Sequence, residues 1–177
     1  MSLPFLFRVA AKPHRQTASV FPAAMRRFFD RSQSSSENKK SSAGVFIDSD
    51  NVSPMCAERA VEYARSQYDV RRVVVYRDWK GKESKLRDVC ERVGAEQVQV
   101  SNARGKNSTD IRMAIDVTAE LLTSDTENYV LVTNDSDFRH LLLKIREQGR
   151  RSVVFNCVPK PSRLLQGWCD DYRSGKE

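Results

Sequence analysis

From Gly44 onward, short β-branched runs alternate with longer stretches whose apolar residues recur every three to four positions. Val45–Asp48, Arg72–Arg77, Gln97–Val100, Tyr129–Val132 and Ser152–Phe155 are too short, and too rich in valine and aromatics, for helices; they read as strands. Between them Pro54 to Gln67, Glu83–Val93, Thr109–Ser124 and Ser136–Gln148 carry the helical period. The boundaries agree with this division. Ser53 before Pro54 suits an N-cap with proline at the first helical position. Gly94 and Gly149 stand where two helices should stop. Ser101–Asn107 reads as a loop. A last helix is expected over Ser162–Tyr172, packed on the sheet through Leu164, Leu165 and Trp168. Strands alternating with helices predict an α/β fold, a doubly wound parallel sheet of about five strands with helices on both faces.

The first part of the chain has a different composition. Residues 1–29 hold five Arg/Lys and no acid, among apolar and Ser/Thr positions. That pattern reads as a mitochondrial transit peptide over residues 1–30, with the mature protein in the matrix. A basic tail that touches RNA or a membrane is the alternative; a secretory signal fits worse, because arginines interrupt every apolar core. Residues 31–43, RSQSSSENKKSSA, are polar and low in complexity and read as a linker, which leaves 44–174 as the folded domain.

Charge adds little. Residues 1–40 carry eight basic and two acidic side chains, a net +6 of the chain's +7, so the remainder is close to neutral. Bulk charge therefore does not mark the domain as a nucleic-acid binder. No apolar run approaches a membrane span. Cys56, Cys90, Cys157 and Cys169 form no C-x-x-C pair, and neither His14 nor His140 stands at metal-ligand spacing from them. This argues against zinc and for reduced thiols packed on apolar faces.

The chemistry lies at the strand ends. The first strand closes on Asp48, followed by Asp50 and Asn51. The fourth closes on Thr133-Asn134 with Asp135 and Asp137 after it. At the carboxyl edge of an open α/β sheet, these two strands commonly flank the switch point where ligands bind. Asp110 opens the helix between them, on a line with Ala114, Val117 and Leu121. Converging carboxylates without a compensating Lys or Arg must either take up protons or hold a hard divalent cation such as Mg²⁺ or Mn²⁺. Taken singly, each acid has a plainer reading, Asp135 as an N-cap and Asp110 and Asp137 as first-turn acids favoured by the helix dipole. That reading does not explain Asp48 at the end of a buried strand. Arg112, Asp116 and Glu120, spaced by four, read as a solvated face.

Three segments, FIDSDNVSP (Phe46–Pro54), GKNSTDIRMAID (Gly105–Asp116) and VTNDSDFRHLL (Val132–Leu142), resemble in order and spacing the motifs of the NYN domain, a branch of the PIN-like nuclease superfamily. The resemblance covers about Gly44 to Val158. It implies a Rossmann-like PIN fold and metal-dependent RNA cleavage. Asp48, Asp110 and Asp135 would then be the principal metal-binding acids, with Asp137 a further catalytic acid. Asn51, Asp116 and Thr133 would support them. The family more often has Gly or Glu near Ser49-Asp50, and a small residue in place of Asn134. Asp48-Ser49-Asp50-Asn51-Val52 also matches the D-x-D-x-[TV] motif of haloacid-dehalogenase-like phosphatases. Their glycine-bearing flap has no counterpart where a helix starts at Ser53-Pro54.

Two basic loops border the same edge. Arg77, Lys80 and Lys82 in the first, and Arg104 and Lys106 in the second, could grip the phosphates of single-stranded RNA, with Trp79 stacking on a base. The plainer reading is solvated surface and a packed edge tryptophan. Two functions follow: a Mg²⁺/Mn²⁺-dependent endoribonuclease acting on mitochondrial RNA, or a non-catalytic RNA- or protein-binding module in mitochondrial RNA processing or ribosome assembly.

Overall fold

The computed structural model describes residues 39–80, 85–101, 107–160 and 162–175. The expected transit peptide, most of the linker, Lys82, Arg104 and Lys106 lie outside the described residues.

Six strands form one sheet: β1 (Ser42–Asp48), β2 (Asp69–Arg77), β3 (Glu96–Gln99), β4 (Asn128–Val132), β5 (Arg151–Asn156) and β6 (Asp171–Ser174). Their order is β3-β2-β1-β4-β5-β6, and every neighbouring pair is parallel. Parallel neighbours need crossovers, which the helices α1 (Pro54–Gln67), α2 (Lys85–Val93), α3 (Ser108–Thr123), α4 (Arg139–Glu147) and α5 (Arg163–Trp168) supply. The strand order reverses between β1 and β4, so the expected switch point is present.

Alternation along the strands divides the core in two. Val45, Ile47, Val73, Val75, Val130 and Val132 pack on one face with α1 and α2. Phe46, Val74, Tyr76, Tyr129 and Leu131 pack on the other with α3 and α4. β1 and β4 are buried along their whole length, as central strands covered on both faces must be. Parity then puts Asp48, two residues beyond Phe46, on the α3/α4 face. Thr133, two beyond Leu131, faces the same way.

The expected helix boundaries are largely met. Ser53 caps α1 by accepting from the Cys56 N–H, with Pro54 in the first turn. Gly94 and Gly149 take φ of +60° and +67°, a left-handed stop that side chains resist.

Four expectations need correction. β1 begins at Ser42, and Lys40 just before it donates to the Arg65 and Ser66 carbonyls at the end of α1, so the described end of the linker belongs to the domain. The last helix stops at Trp168, and a sixth strand follows. Asp170 fixes that turn by accepting from both the N–H and the hydroxyl of Ser152 (2.8 and 2.9 Å). Only Leu165 of that helix is buried; Leu164 and Trp168 are 58% and 37% exposed. Finally, Cys56 and Cys157 are joined in a disulfide, Cα atoms 5.6 Å apart, whereas the spacing had suggested reduced thiols. The sequence separation of 101 conceals a proximity that the topology creates: Cys56 lies in the first turn of α1 and Cys157 follows β5, both at the carboxyl edge.

A crosslink closing so long a loop restricts the unfolded chain. The oxidised protein should lose about 2–4 kcal/mol on Cys157→Ser, read as a lowered denaturant midpoint, and the wild type in dithiothreitol should match the variant. Equal midpoints for the oxidised wild type and the variant would show that the pair is not bonded in solution.

Candidate active site

Asp48 is wholly buried, and burial pushes its carboxyl pKa up. Three donors oppose this. The Asn51 amide donates to Oδ2 at 2.7 Å, the Thr133 hydroxyl to the same oxygen at 3.0 Å, and the Asp50 N–H to Oδ1 at 3.2 Å. Hydrogen bonds to the ionised form are what allow a carboxylate to survive away from water.

Thr133 has a second partner. Its Oγ1 accepts from the Asp135 N–H at 3.1 Å, so one hydroxyl joins the end of β1 to the turn after β4. Thr109 makes the corresponding link to α3. Its hydroxyl donates to Asp50 Oδ2 at 2.7 Å, which brings the first turn of α3, and with it Asp110, against the loop after β1. Two threonines thus hold three acidic segments at one edge.

The predicted acids meet there in different states. Asp110 is partly exposed, and its pKa is raised to about 6, first by burial and then by the charges of Asp48, Asp135, Asp50 and Asp137. Those four influences place all five carboxylates in one electrostatic neighbourhood. Asp135 caps the 3₁₀ turn Ser136–Phe138, its Oδ1 accepting from the Asp137 N–H at 2.8 Å. Asp137 is exposed and pairs with Arg139 at 3.2 Å, so the cluster does have one compensating arginine, against expectation. Asn134, where the motif favours a small residue, accepts from Asn156 and from the Ser162 N–H and ties the site to the β5–α5 connection.

Asp116 lies elsewhere. Six residues past Asp110 on a helix means about 9 Å along the axis and roughly 120° around it. Arg112 holds both its oxygens at 3.0 Å, the i,i+4 pair read from the spacing. Glu120 is not on a free polar face: it is only 11% exposed and pairs with Arg72 at 2.9 Å.

The basic loops are less complete. Arg77 ends β2 at the same edge, since Asp48 pairs in register with Tyr76. Trp79, however, donates its indole N–H to the Val98 carbonyl at 3.1 Å, packs against the α1/α2-side core, and has the Arg77 and Arg87 guanidinium groups 6.0 and 5.7 Å from its ring centre. Its ring is committed to structure. Lys80 is exposed, with its N–H on Asp78.

The sequence pattern did not single out Thr109 and gave no partner for Asp50. The buried line of α3 is Thr109, Met113, Val117 and Leu121, one position round from the line first drawn through Asp110. A threonine in an otherwise apolar buried line marks a hydroxyl that has found a partner.

The fold and this site define an α/β domain with a carboxylate-lined ligand edge at its switch point. The chain belongs to the NYN domain family, a PIN-like nuclease family, whose model matches residues 42–174. A crystal structure of a Vibrio parahaemolyticus protein of unknown function is similar, with 18% identity, TM-score 0.63, and coverage of 80% of this chain and 96% of that one. A Listeria monocytogenes structure described as a UDP-N-acetylglucosamine 2-epimerase matches at 11% identity and TM-score 0.52, over 77% of this chain and 39% of that one. A second 2-epimerase structure matches at 10% identity and TM-score 0.53, over 77% and 42%. At these identities the likeness concerns the fold alone. No curated protein matches the chain. The phosphatase alternative lacks room for its flap, since α1 starts at Pro54, directly behind the Asp48–Asn51 turn.

A carboxyl with a higher pKa folded than unfolded ionises more easily in the unfolded chain. Stability is therefore unaffected well below the ordinary carboxyl value of 3.8, falls as pH climbs from there to about 6, and stays lowered above. Asp110→Asn should stabilise the metal-free protein by about 1 kcal/mol above pH 6, a screened fraction of the full shift because the group is partly solvated. It should change nothing below about pH 4. Unfolding curves across that range check both halves.

Proposed function

We propose that this protein is a divalent-metal-dependent endoribonuclease, with Asp48, Asp110 and Asp135 as the metal-holding acids and Asp137 as a further acid at the reacting edge. The observation that carries this reading is the convergence of Asp48, Asp135, Asp50 and Asp137 on Asp110, whose pKa is raised to about 6 by burial and then by those charges. The donor set, all carboxylate and partly solvated, suits Mg²⁺ or Mn²⁺. Among the described residues no three acidic, His or Cys side chains stand close enough to clasp an ion as they are, so loading would draw the carboxylates inward. When bound, such a metal activates water and neutralises charge on a phosphodiester. The chain's own part is to hold the acids. Asn51 and Thr133 favour the ionised form of Asp48 and aim it, Thr109 and Asp50 seat α3, and Arg77 and Lys80, with Lys82, Arg104 and Lys106, would meet the strand's phosphates.

A second reading has its own support. Asp135 is engaged as a cap and Asp137 in an ion pair, roles that need no metal. On that basis the domain would bind RNA or a protein partner without cutting.

The deciding experiment incubates the protein and its Asp48→Asn/Asp135→Asn variant with labelled single-stranded RNA in Mn²⁺, Mg²⁺ and EDTA. We expect metal-dependent cleavage that the variant loses by at least about 100-fold. RNA bound equally by both and cut by neither would leave the binding module.

The acid-free first 29 residues support import into the mitochondrial matrix, and mitochondrial RNA would then be the substrate. The Cys56–Cys157 disulfide weighs on the other side, because reducing compartments disfavour such bonds. Residues 1–40 fused to a fluorescent reporter should enter mitochondria; a reporter that stays diffuse would sink the assignment. No helix among the described residues is long and apolar enough to cross a membrane.

A further inference from the structure

Beside the acidic edge, the start of α3 and the 3₁₀ turn enclose an open cavity of about 240 Å³. Ile111 and Ala114 line it from α3, and Phe138 and Leu141 from the opposite side. Asn107 and His140 also line it and are exposed. Asp110 and Asp137 belong to its lining too, so the cavity is continuous with the carboxylate cluster.

Three features say what could enter. Among the described residues no lysine or arginine lines the cavity, while two carboxylates do, so it rejects an anionic group and accepts a neutral one. Its walls are apolar and its outer residues polar, which matches a flat ring with an apolar face and a hydrogen-bonding edge. Its volume falls below the roughly 300–1,000 Å³ of pockets for drug-sized ligands, so it holds a fragment of a larger ligand.

Two residues look built for this use. Ile111 is 59% exposed on a helix that already buries a complete apolar line. Asn107 stands before α3 at φ +76°, the left-handed region that asparagine tolerates best among residues with side chains, yet its side chain makes no capping bond. Its amide is left to the cavity.

We propose that this cavity is a base-binding subsite. It takes one nucleobase of a single RNA strand whose backbone passes the acidic edge. Ile111 and Ala114 cover the ring, and Asn107 and His140 meet its polar edge. The inference rests on the RNA-directed reading of the site, but it does not require cleavage.

The test uses the full chain and short single-stranded RNAs carrying 2-aminopurine at successive positions, in Ca²⁺. One position should change fluorescence on binding. Ala114→Trp, which fills the cavity, and Ile111→Glu, an exposed change that leaves the fold intact, should both abolish that change and weaken binding about tenfold. Leu122→Glu, 66% exposed further along the same helix, should do neither. A fluorescence change that survives both cavity variants, or RNA bound with no position responding, overturns the proposal. So does a wild-type dimer that Ile111→Glu dissolves with RNA binding unchanged, which would give the groove to a second copy. Cleavage assays on the same variants separate the two readings. Unaltered cutting and cut pattern in the cavity variants would remove the subsite and leave the nuclease. A responding base in a protein that cuts nothing would keep the subsite and remove the nuclease.

Discussion

The carboxylate of Asp48 is the constraint from which the rest of the site follows. Bringing an isolated carboxylate out of water costs several kcal/mol even after relaxation. Hydrogen bonds to charged groups contribute about 1.5–3 kcal/mol each, so the three donors on Asp48 recover part of that cost, and burial still holds its pKa above the ordinary value. They come from the loop after β1 (Asn51, Asp50) and from the end of β4 (Thr133). Satisfying one buried charge therefore fixes the conformation of two turns, and Thr133 passes the constraint to Asp135. Local order at the switch point and the geometry of the acids are one problem with one solution.

Electrostatics opposes this arrangement. Asp48, Asp135, Asp50 and Asp137 all act on Asp110 in a domain whose overall charge is close to neutral. Arg139 pairs with Asp137, an exposed member of the group. The others are held apart by like-charge repulsion and together by two threonines, which are neutral and add no counter-charge. A lysine in either place would bind a neighbouring carboxylate more strongly, but it would cancel the field that attracts a cation. Hydroxyl tethers keep the edge both assembled and negative.

Much of this was legible in the sequence because the central strands are fully buried. Val45–Ile47 and Tyr129–Val132 must be interior, so Asp48 and Asp135 had to emerge at one edge. β6 was not legible. Asp171–Ser174 has neither alternation nor an apolar run, and becomes a strand only because Asp170 grips Ser152 and Tyr172 meets Asn156. The disulfide escaped for a related reason, since 101 residues separate its cysteines and only the crossovers bring them together. Thr109 was hidden by a one-position error of phase on α3, enough to exchange a buried hydroxyl for a half-exposed acid. Elements come from local pattern; tethers come from the topology that the elements build.

Asp116 shows how a motif position can be separated from the chemistry of its motif. It shares a helix with Asp110, yet helix geometry carries it away from the acidic edge, and it is absent from the charges that perturb Asp110. Its surroundings are Arg112 and the buried hydroxyl of Tyr76 on β2, which has no hydrogen-bond partner at normal distance. Burial, and then the charge of Asp116, push that hydroxyl's pKa up. Asp116 thus lies where α3 packs over Tyr76 of β2, paired with an arginine of its own helix. Because α3 begins at Ser108, any rotation about that contact would displace Asp110 at its first turn. Asp116 itself belongs to the packing of α3 on β2, six residues from Asp110 and outside the group of carboxylates named around it.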